Sequence, residues 1–315
     1  MLKFGRNYRL KIRVGKAVET SDGKMSREWL EEFEIKYPLT VNFTITRAQW
    51  STMNSAHFEI YNLNDKTCAK LYRDIYDETK IIRVEFYAGY GDENIVTLPL
   101  CFAGEVYEGY SYREGRGTEV KTELTCLTGF FSRNFCFTNR VFEAGTPPLE
   151  IIQTLCNDAG IQLGNPESSI IAELKPFDRK LKIVKNSLEA LNILVGGHAH
   201  IDSAQDNDKV WILGQNDVRE NHYYILNASE LLETPKRRET CIEINTIFEP
   251  RIVEAQAIQI QSNMASYFDG LYKVVGFNHT GTISGAVGGT CATKALLYTN
   301  GESFNFVSLN KEKAS

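Results

Sequence analysis

The chain has 315 residues with 43% hydrophobic and 11% aromatic content, enough for about two or three globular cores and too apolar for wholesale disorder. Its formal net charge of -5 excludes a dedicated nucleic-acid binder, which needs clustered Lys and Arg to neutralise phosphates. No apolar run approaches the roughly 18 residues of a membrane-spanning helix, and the start, "MLKFGRNYRLKIRV", does not read as a signal peptide.

The first 135 or so residues read as mostly β. "YRLKIRVG" alternates, with Leu10, Ile12 and Val14 on one side and Arg9, Lys11 and Arg13 on the other. After a polar loop at Asp22-Gly23, "WLEEFEIKYPLTVNFTITRA" carries two strands broken near Pro38. "NSAHFEIYNLN" then sets Phe58 and Ile60 against His57, Glu59 and Tyr61. In "DKTCAKLYRDIYD", Cys68, Leu71, Tyr72 and Ile75 recur at helical spacing, and Asn64 or Asp65 is placed to cap that helix. Further strands follow, joined by turns at Gly89-Tyr90-Gly91-Asp92 and Glu114-Gly115-Arg116-Gly117. A meander of about seven strands with one inserted helix predicts a small closed or nearly closed barrel.

The middle changes character. "GTPPLEIIQTLCNDAGI" predicts a helix with Thr146 as N-cap and Pro147 at the first position, ending at Gly160. "NSLEALNILVGG" predicts a second, with Asn186 and Glu189 at capping-box spacing and a stop at Gly196-Gly197. "HAHIDSAQDNDKVWILG" reads as a hairpin turning at Asp206-Asn207-Asp208. The last third returns to β, with a strand through Ala255, Ala257, Ile258 and Ile260, a polar loop over 262–269, two further strands and a frayed "NKEKAS" end. The fold class is therefore mainly β with an α+β insert. Residues 1–138 form the first barrel, 139–218 the helix-hairpin module and 219–315 a second barrel with a C-terminal tail.

The chemistry is sparse. Seven scattered cysteines (Cys68, Cys101, Cys126, Cys136, Cys156, Cys241 and Cys291) contain no CxxC pair and predict small buried hydrophobes rather than disulfides or a zinc site. His198, His200 and Asp202 share one face of a strand at a real ligand spacing, which makes them weak metal candidates, with His279 to be recruited only by the fold. "AGYGDEN" lacks the spacing and following helix of a phosphate loop, and no GxSxG occurs. Catalytic residues and cofactors are predicted to be none. Tyr107, Tyr110 and Tyr112, together with His57, Glu59 and Tyr61, are the candidate interface residues, because tyrosine combines apolar area with a polar tip.

The order of these signals resembles the bacteriophage baseplate hub family. The elements that carry it are Asn62-Leu63-Asn64 entering a short helix, Ala88-Gly89-Tyr90, Phe102-Ala103-Gly104 and Cys126-Leu127-Thr128-Gly129. The helices of the middle module follow, then Gly270, Tyr272 and Val274, and finally His279 and Gly281. The resemblance implies two tube-like barrels per chain and a homotrimeric ring joining the tail tube and tape-measure protein to the spike among other baseplate proteins. It further implies a channel that DNA crosses only transiently, and a virion tail location after assembly in the host cytoplasm. The alternatives are another tail-tip component (a distal tail protein or adaptor) or a metal-dependent hydrolase using His198, His200 and Asp202.

Overall fold

Alternation of buried and exposed side chains organises the first third of the chain, as it must where one face of each strand meets a core. The computed structural model describes residues 5–21, 23–48, 54–77, 79–91, 97–113, 115, 117–202, 208–219, 223–261, 266–299 and 305–306. The glycine turns at 114–117 and 89–92, the hairpin turn at 206–208 and the loop over 262–269 lie only partly within them, and "NKEKAS" lies outside.

The first barrel comprises β1 (Arg6–Glu19), β2 (Met25–Lys36), β3 (Val41–Ala48), β4 (Ser55–Tyr61), α1 (Asp65–Leu71), β5 (Lys80–Tyr90), β6 (Leu100–Arg113) and β7 (Val120–Leu127). Their order in the sheet is β3-β4-β7-β6-β5-β1-β2. Leu10 and Ile12, Phe43 and Ile45, Phe58 and Ile60, and Leu124 and Cys126 all point into one core. Phe86 lies at its middle, with ring centroids 5.0 Å from Phe43, 5.0 Å from Phe58 and 6.1 Å from Tyr8.

Asn64 caps α1 by accepting the Thr67 amide hydrogen. The helix stops at Leu71, short of the Tyr72 and Ile75 that the periodicity places in it. Arg73 explains the stop. Its backbone exchanges hydrogen bonds with Gly109 of β6 at 2.8 and 2.9 Å, and its buried guanidinium donates to the carbonyls of Tyr107, Lys80 and Asp77. Gly109 is required there, since a Cβ would lie 2.5 Å from the Leu71 oxygen.

The middle module contains α2 (Phe130–Phe135), β8 (Phe137–Phe142), α3 (Pro148–Ala159), β9 (Gln162–Leu163), α4 (Ser169–Glu173), β10 (Leu181–Asn186), α5 (Ser187–Leu194), β11 (Ala199–Asp202), β12 (Lys209–Ile212) and β13 (Asp217–Val218). Helix α3 begins one residue later than its sequence suggests: Thr146 bonds the Glu143 carbonyl, and Pro147 takes the N-cap position. Gly160 ends it in the left-handed conformation. Asn186 caps α5 by accepting from Leu188 and Glu189. The apolar faces of α3 and α5 meet β9, β12 and the β8–β10 ribbon in a core of their own.

The final elements are β14 (Tyr223–Asn227), β15 (Lys236–Arg237), β16 (Cys241–Ile247), β17 (Ala257–Gln261), β18 (Gly270–Ile283), β19 (Cys291–Tyr298) and β20 (Asn305–Phe306). β20 pairs with β13, and the others run β15-β16-β19-β18-β17-β14. The segment after β14 returns to β16 through a Leu231–Thr246 bridge and a 2.8 Å bond from the Leu232 amide to the Asn245 carbonyl, which closes the second barrel around Ile242, Ile258, Val274 and Leu297. Ala255, expected in β17, precedes it with a positive φ of 56°.

The two barrels are one sheet. Along one side β18 pairs first with β17, over Gly270–Lys273, and then with β3, where Gly276–Ile283 meets Ala48–Val41, while its other side pairs with β19 from Lys273 to Gly281. Phe248, Ile283 and Cys291 from the last third thereby enter the first core. All seven cysteines are free, and five of them are buried.

His279 of β18 is buried between Phe248 and Phe277, with Nδ1 2.8 Å from the Thr293 hydroxyl. Burial, with Arg47 nearby, pushes its pKa from 6.5 down to about 3. The folded chain therefore holds His279 neutral in a range where the unfolded chain binds a proton. Stability is full above pH 6.5 and falls as the pH drops toward 3, by up to about 1.4 kcal/mol per pH unit. Urea titrations between pH 7 and pH 4 should show that slope flattened in His279→Gln; an unchanged slope would remove this group as its source.

Candidate functional site

Because β18 and β3 join the barrels, the side chains opposite the two cores form one continuous surface. Register places Asn278, Thr280 and Thr282 beside Thr46, Thr44 and Asn42, followed by His57, Glu59 and Tyr61 and then Thr125, Glu123 and Lys121. The central strands offer only small uncharged groups, tied by Thr282 to Asn42 at 2.7 Å and Asn278 to Thr46 at 2.8 Å. An open groove of about 310 Å³ runs over them, lined in part by Asn42, Thr44, His57, Glu59 and Thr280.

Charge enters toward β7 and β6. Lys121 Nζ lies 2.7 Å from Glu59 and 3.1 Å from Glu123, which also accepts from the hydroxyls of Tyr110 at 2.8 Å and Tyr112 at 2.5 Å. Partial burial pushes Glu123 up, but the bonds from Tyr112, Tyr110 and Lys121 outweigh it and hold the carboxyl at about 2. Hydrogen bonding to Glu59 raises the pKa of Lys121 in return. His57, Glu59 and Glu123 form the one group of three ligand-type side chains, among the described residues, whose ligand atoms fall within 4.8 Å of one another. The Lys121 ammonium already stands between the two carboxylates, where it would oppose a cation.

Five of the six candidate interface residues lie near one another. His57, Glu59, Tyr61, Tyr110 and Tyr112 share the polar face, and Tyr110 and Tyr112 stack at 5.7 Å. Tyr107 does not join them. A bulge between Val106 and Glu108 shifts the register, and its ring meets Phe130 at 5.9 Å instead.

The structure does not bring His198, His200 and Asp202 together as one group of ligands. His198 Nδ1 faces the Leu213 carbonyl at 3.1 Å, and His200 is buried against the Trp211 side of the hairpin. Both oxygens of Asp202 are taken by guanidinium groups, Oδ1 by Arg47 and Oδ2 by Arg219. Arg47 also reaches Glu254 at 3.3 Å. Burial pushes the Asp202 carboxyl up, but Arg219 and Arg47 more than reverse it, whereas burial leaves Glu254 raised. His279 lies in the barrel wall with Thr293 as its partner and is not recruited.

Comparison with known proteins gives this surface its setting. The profile of the family described as Baseplate hub gp41 matches residues 16–280. The chain belongs to the baseplate hub family. No curated protein matches the hub in sequence. In fold it is similar to the prophage MuSo2 43 kDa tail protein from Shewanella oneidensis, with a TM-score of 0.52 at 10% identity over 91% of this chain and 96% of that one. It is likewise similar to a tail protein from Neisseria meningitidis MC58, at 0.54 and 11% over 95% and 98%. A third likeness is to the E. coli c3393 protein, at 0.54 and 9% over 85% and 76%; that protein is described as a component of the type VI secretion system with structural similarity to T4 bacteriophage tail proteins gp27 and gp5. The hub is a structural component of the phage tail baseplate.

Sequence reasoning missed the hub's ionic centres. Arg47, Arg219 and Glu254 come from three separate segments, and no local spacing connects them. The same holds for Arg83, fully buried on β5, which reaches Glu105 at 2.8 Å and Asp208 at 3.0 Å. Only burial of a charge shows that it must be paired.

Proposed function

We propose that the chain is the central hub ring of the baseplate, a homotrimer joining the tail tube and tape-measure protein to the spike, and that it works without catalysis. The observation that carries this is the single sheet crossing both barrels, with a polar face whose middle is Thr and Asn side chains only. A wall of this kind suits a channel for DNA. Its middle has hydroxyl and amide groups to keep it wet. The cations toward its two sides are paired with carboxylates, Lys121 with Glu59 and Glu123 and Lys294 and Arg238 with Glu243, which weakens their hold on phosphates in passage. His57, Glu59 and Tyr61, at the edge of the groove, face that channel. The E. coli neighbour's description, which relates it to tail proteins gp27 and gp5, supports a place for this chain among tail proteins. The location is the virion tail baseplate, reached by assembly in the host cytoplasm. Among the described residues, no helix is long and apolar enough to cross a membrane.

Mass photometry followed by cryo-EM of the full chain tests the reading. The expected result is three copies around a central opening, with Thr44 and Thr280 facing it. A stable monomer at micromolar concentration, or a ring with this face turned outward, overturns it.

A further inference from the structure

The middle module leaves one face of its ribbon bare. Strands β8 and β10 are antiparallel, with Asn139 opposite Val184 and Val141 opposite Lys182, so these four side chains share a face with Phe137. The other face is covered: Phe142 and Ile183 belong to the core built with α3 and α5, and Thr138 lies 3.1 Å from Asp158 of α3 and 2.7 Å from Ser187 of α5. On the bare face Phe137 is 67% exposed, Val184 60% and Val141 56%. The register sets Val184 diagonal to both Phe137 and Val141, so the three make one apolar stripe across the ribbon. A sheet with large apolar groups on both faces needs a layer on each, and the chain supplies one.

The charge beside the stripe is positive, on a chain of net charge -5. Lys182 is exposed on the bare face itself, and none of the ribbon residues on that face is a carboxylate. Next to it, the exposed segment 175–180 folds back on the residues that follow β8. The Gly145 amide donates to the Phe177 carbonyl at 2.9 Å, and Lys180 pairs with Glu143 at 2.9 Å. That end of the ribbon therefore also carries Lys175, Arg179 and the exposed Phe177 ring. Among the described residues Lys175, Arg179 and Lys182 have no carboxylate partner, whereas Lys180 and Lys185 are paired with Glu143 and Glu189.

We infer that this face seats an amphipathic helix of another baseplate protein, apolar where it crosses Phe137, Val184 and Val141 and acidic where it ends over Lys182 and Arg179. The inference rests on the chain's place in the baseplate and not on the ring. Length favours a helix: from Phe137 to Val141 the strand rises about 13 Å, close to two helical turns of about 11 Å in all. A third strand added at an edge leaves the stripe uncovered, while a helix lying over it buries all three side chains. A second copy has no such helix to offer among the described residues, since the apolar sides of α3 and α5 are already buried in the module's own core. The unpaired cations select an acidic partner, because its carboxylates complete pairs that the chain leaves open.

Carbodiimide coupling of intact tails tests the seat, since it joins amines to carboxylates in direct contact. Lys182 or Lys175 should be linked to an Asp or Glu of a chain other than the hub, in a segment with apolar residues at three- and four-residue spacing. Lys182 should also resist reductive methylation in tails and react freely in the isolated full-length hub. Val184→Glu and Lys182→Glu replace exposed side chains, so each purified variant should keep the wild-type circular dichroism and urea midpoint. Each should nevertheless cut the amount of the linked partner in tails at least about tenfold, while Lys182→Arg retains it. Equal methylation of Lys182 in tails and in the isolated hub, links confined to other copies of the hub, or a wild-type amount of partner with Val184→Glu overturns the seat. So does a Lys182 that stays reactive in tails on a hub that binds phosphatidylglycerol vesicles, which assigns the face to an anionic lipid surface. None of these readouts depends on how many copies the isolated hub forms, so the ring reading and the seat fail separately.

Discussion

Arg47→Met is expected to destabilise the chain by about 3–5 kcal/mol, read as a fall in the urea midpoint at unchanged slope. Arg47 is buried at the meeting point of three lobes: it stands on β3 of the first barrel, bonds Asp202 of the middle module and faces Glu254 beside the second barrel. With Arg219 the group holds two cations and two anions. Methionine fills much of the volume but leaves two buried carboxylates with one guanidinium, and an uncompensated buried charge is what makes such a deletion costly. Adding Glu254→Gln to Arg47→Met restores neutrality around the Arg219–Asp202 pair, so the double variant should be more stable than the single one. An Arg47→Met midpoint within about 1 kcal/mol of wild type would show that water or repacking meets those carboxylates, and would sink the argument.

Phe86→Ala should be comparably damaging, at about 3–5 kcal/mol, for a different reason. Phe86 has no exposed surface, and three aromatic rings converge on it. Alanine removes both the apolar area and the contacts of Tyr8, Phe43 and Phe58. These rings come from β1, β3 and β4, so they cannot all move into the cavity without breaking strand register. Phe86→Leu should cost far less, because most of the volume remains. Equal losses for the two variants would indicate that the core collapses around either residue.

The strands were legible because burial imposes a period of two: Leu10 and Ile12, Phe58 and Ile60 mark the inner face directly. Helix caps were legible for a similarly local cause, as at Asn64 and Asn186, where one side chain satisfies amides two or three residues away. The end of α1 was not legible. Tyr72 and Ile75 continue the helical spacing, but Arg73 is drawn to Gly109 by a contact 36 residues distant in sequence. The partners of Asp202 were hidden in the same way: His198, His200 and Asp202 have a ligand's spacing, but the guanidinium groups that bond Asp202 arrive from positions 47 and 219.

By itself the sequence determined the mainly β class, the α+β middle, and the alternation that left His57, Glu59 and Tyr61 opposite the core, because these depend on neighbours within a few residues. Tertiary structure alone decided that β18 would pair with β3 and merge two barrels into one polar surface. It also decided which buried charges would meet. Strand partners and ion pairs bring together residues tens to hundreds of positions apart, and no periodicity in the chain records that distance.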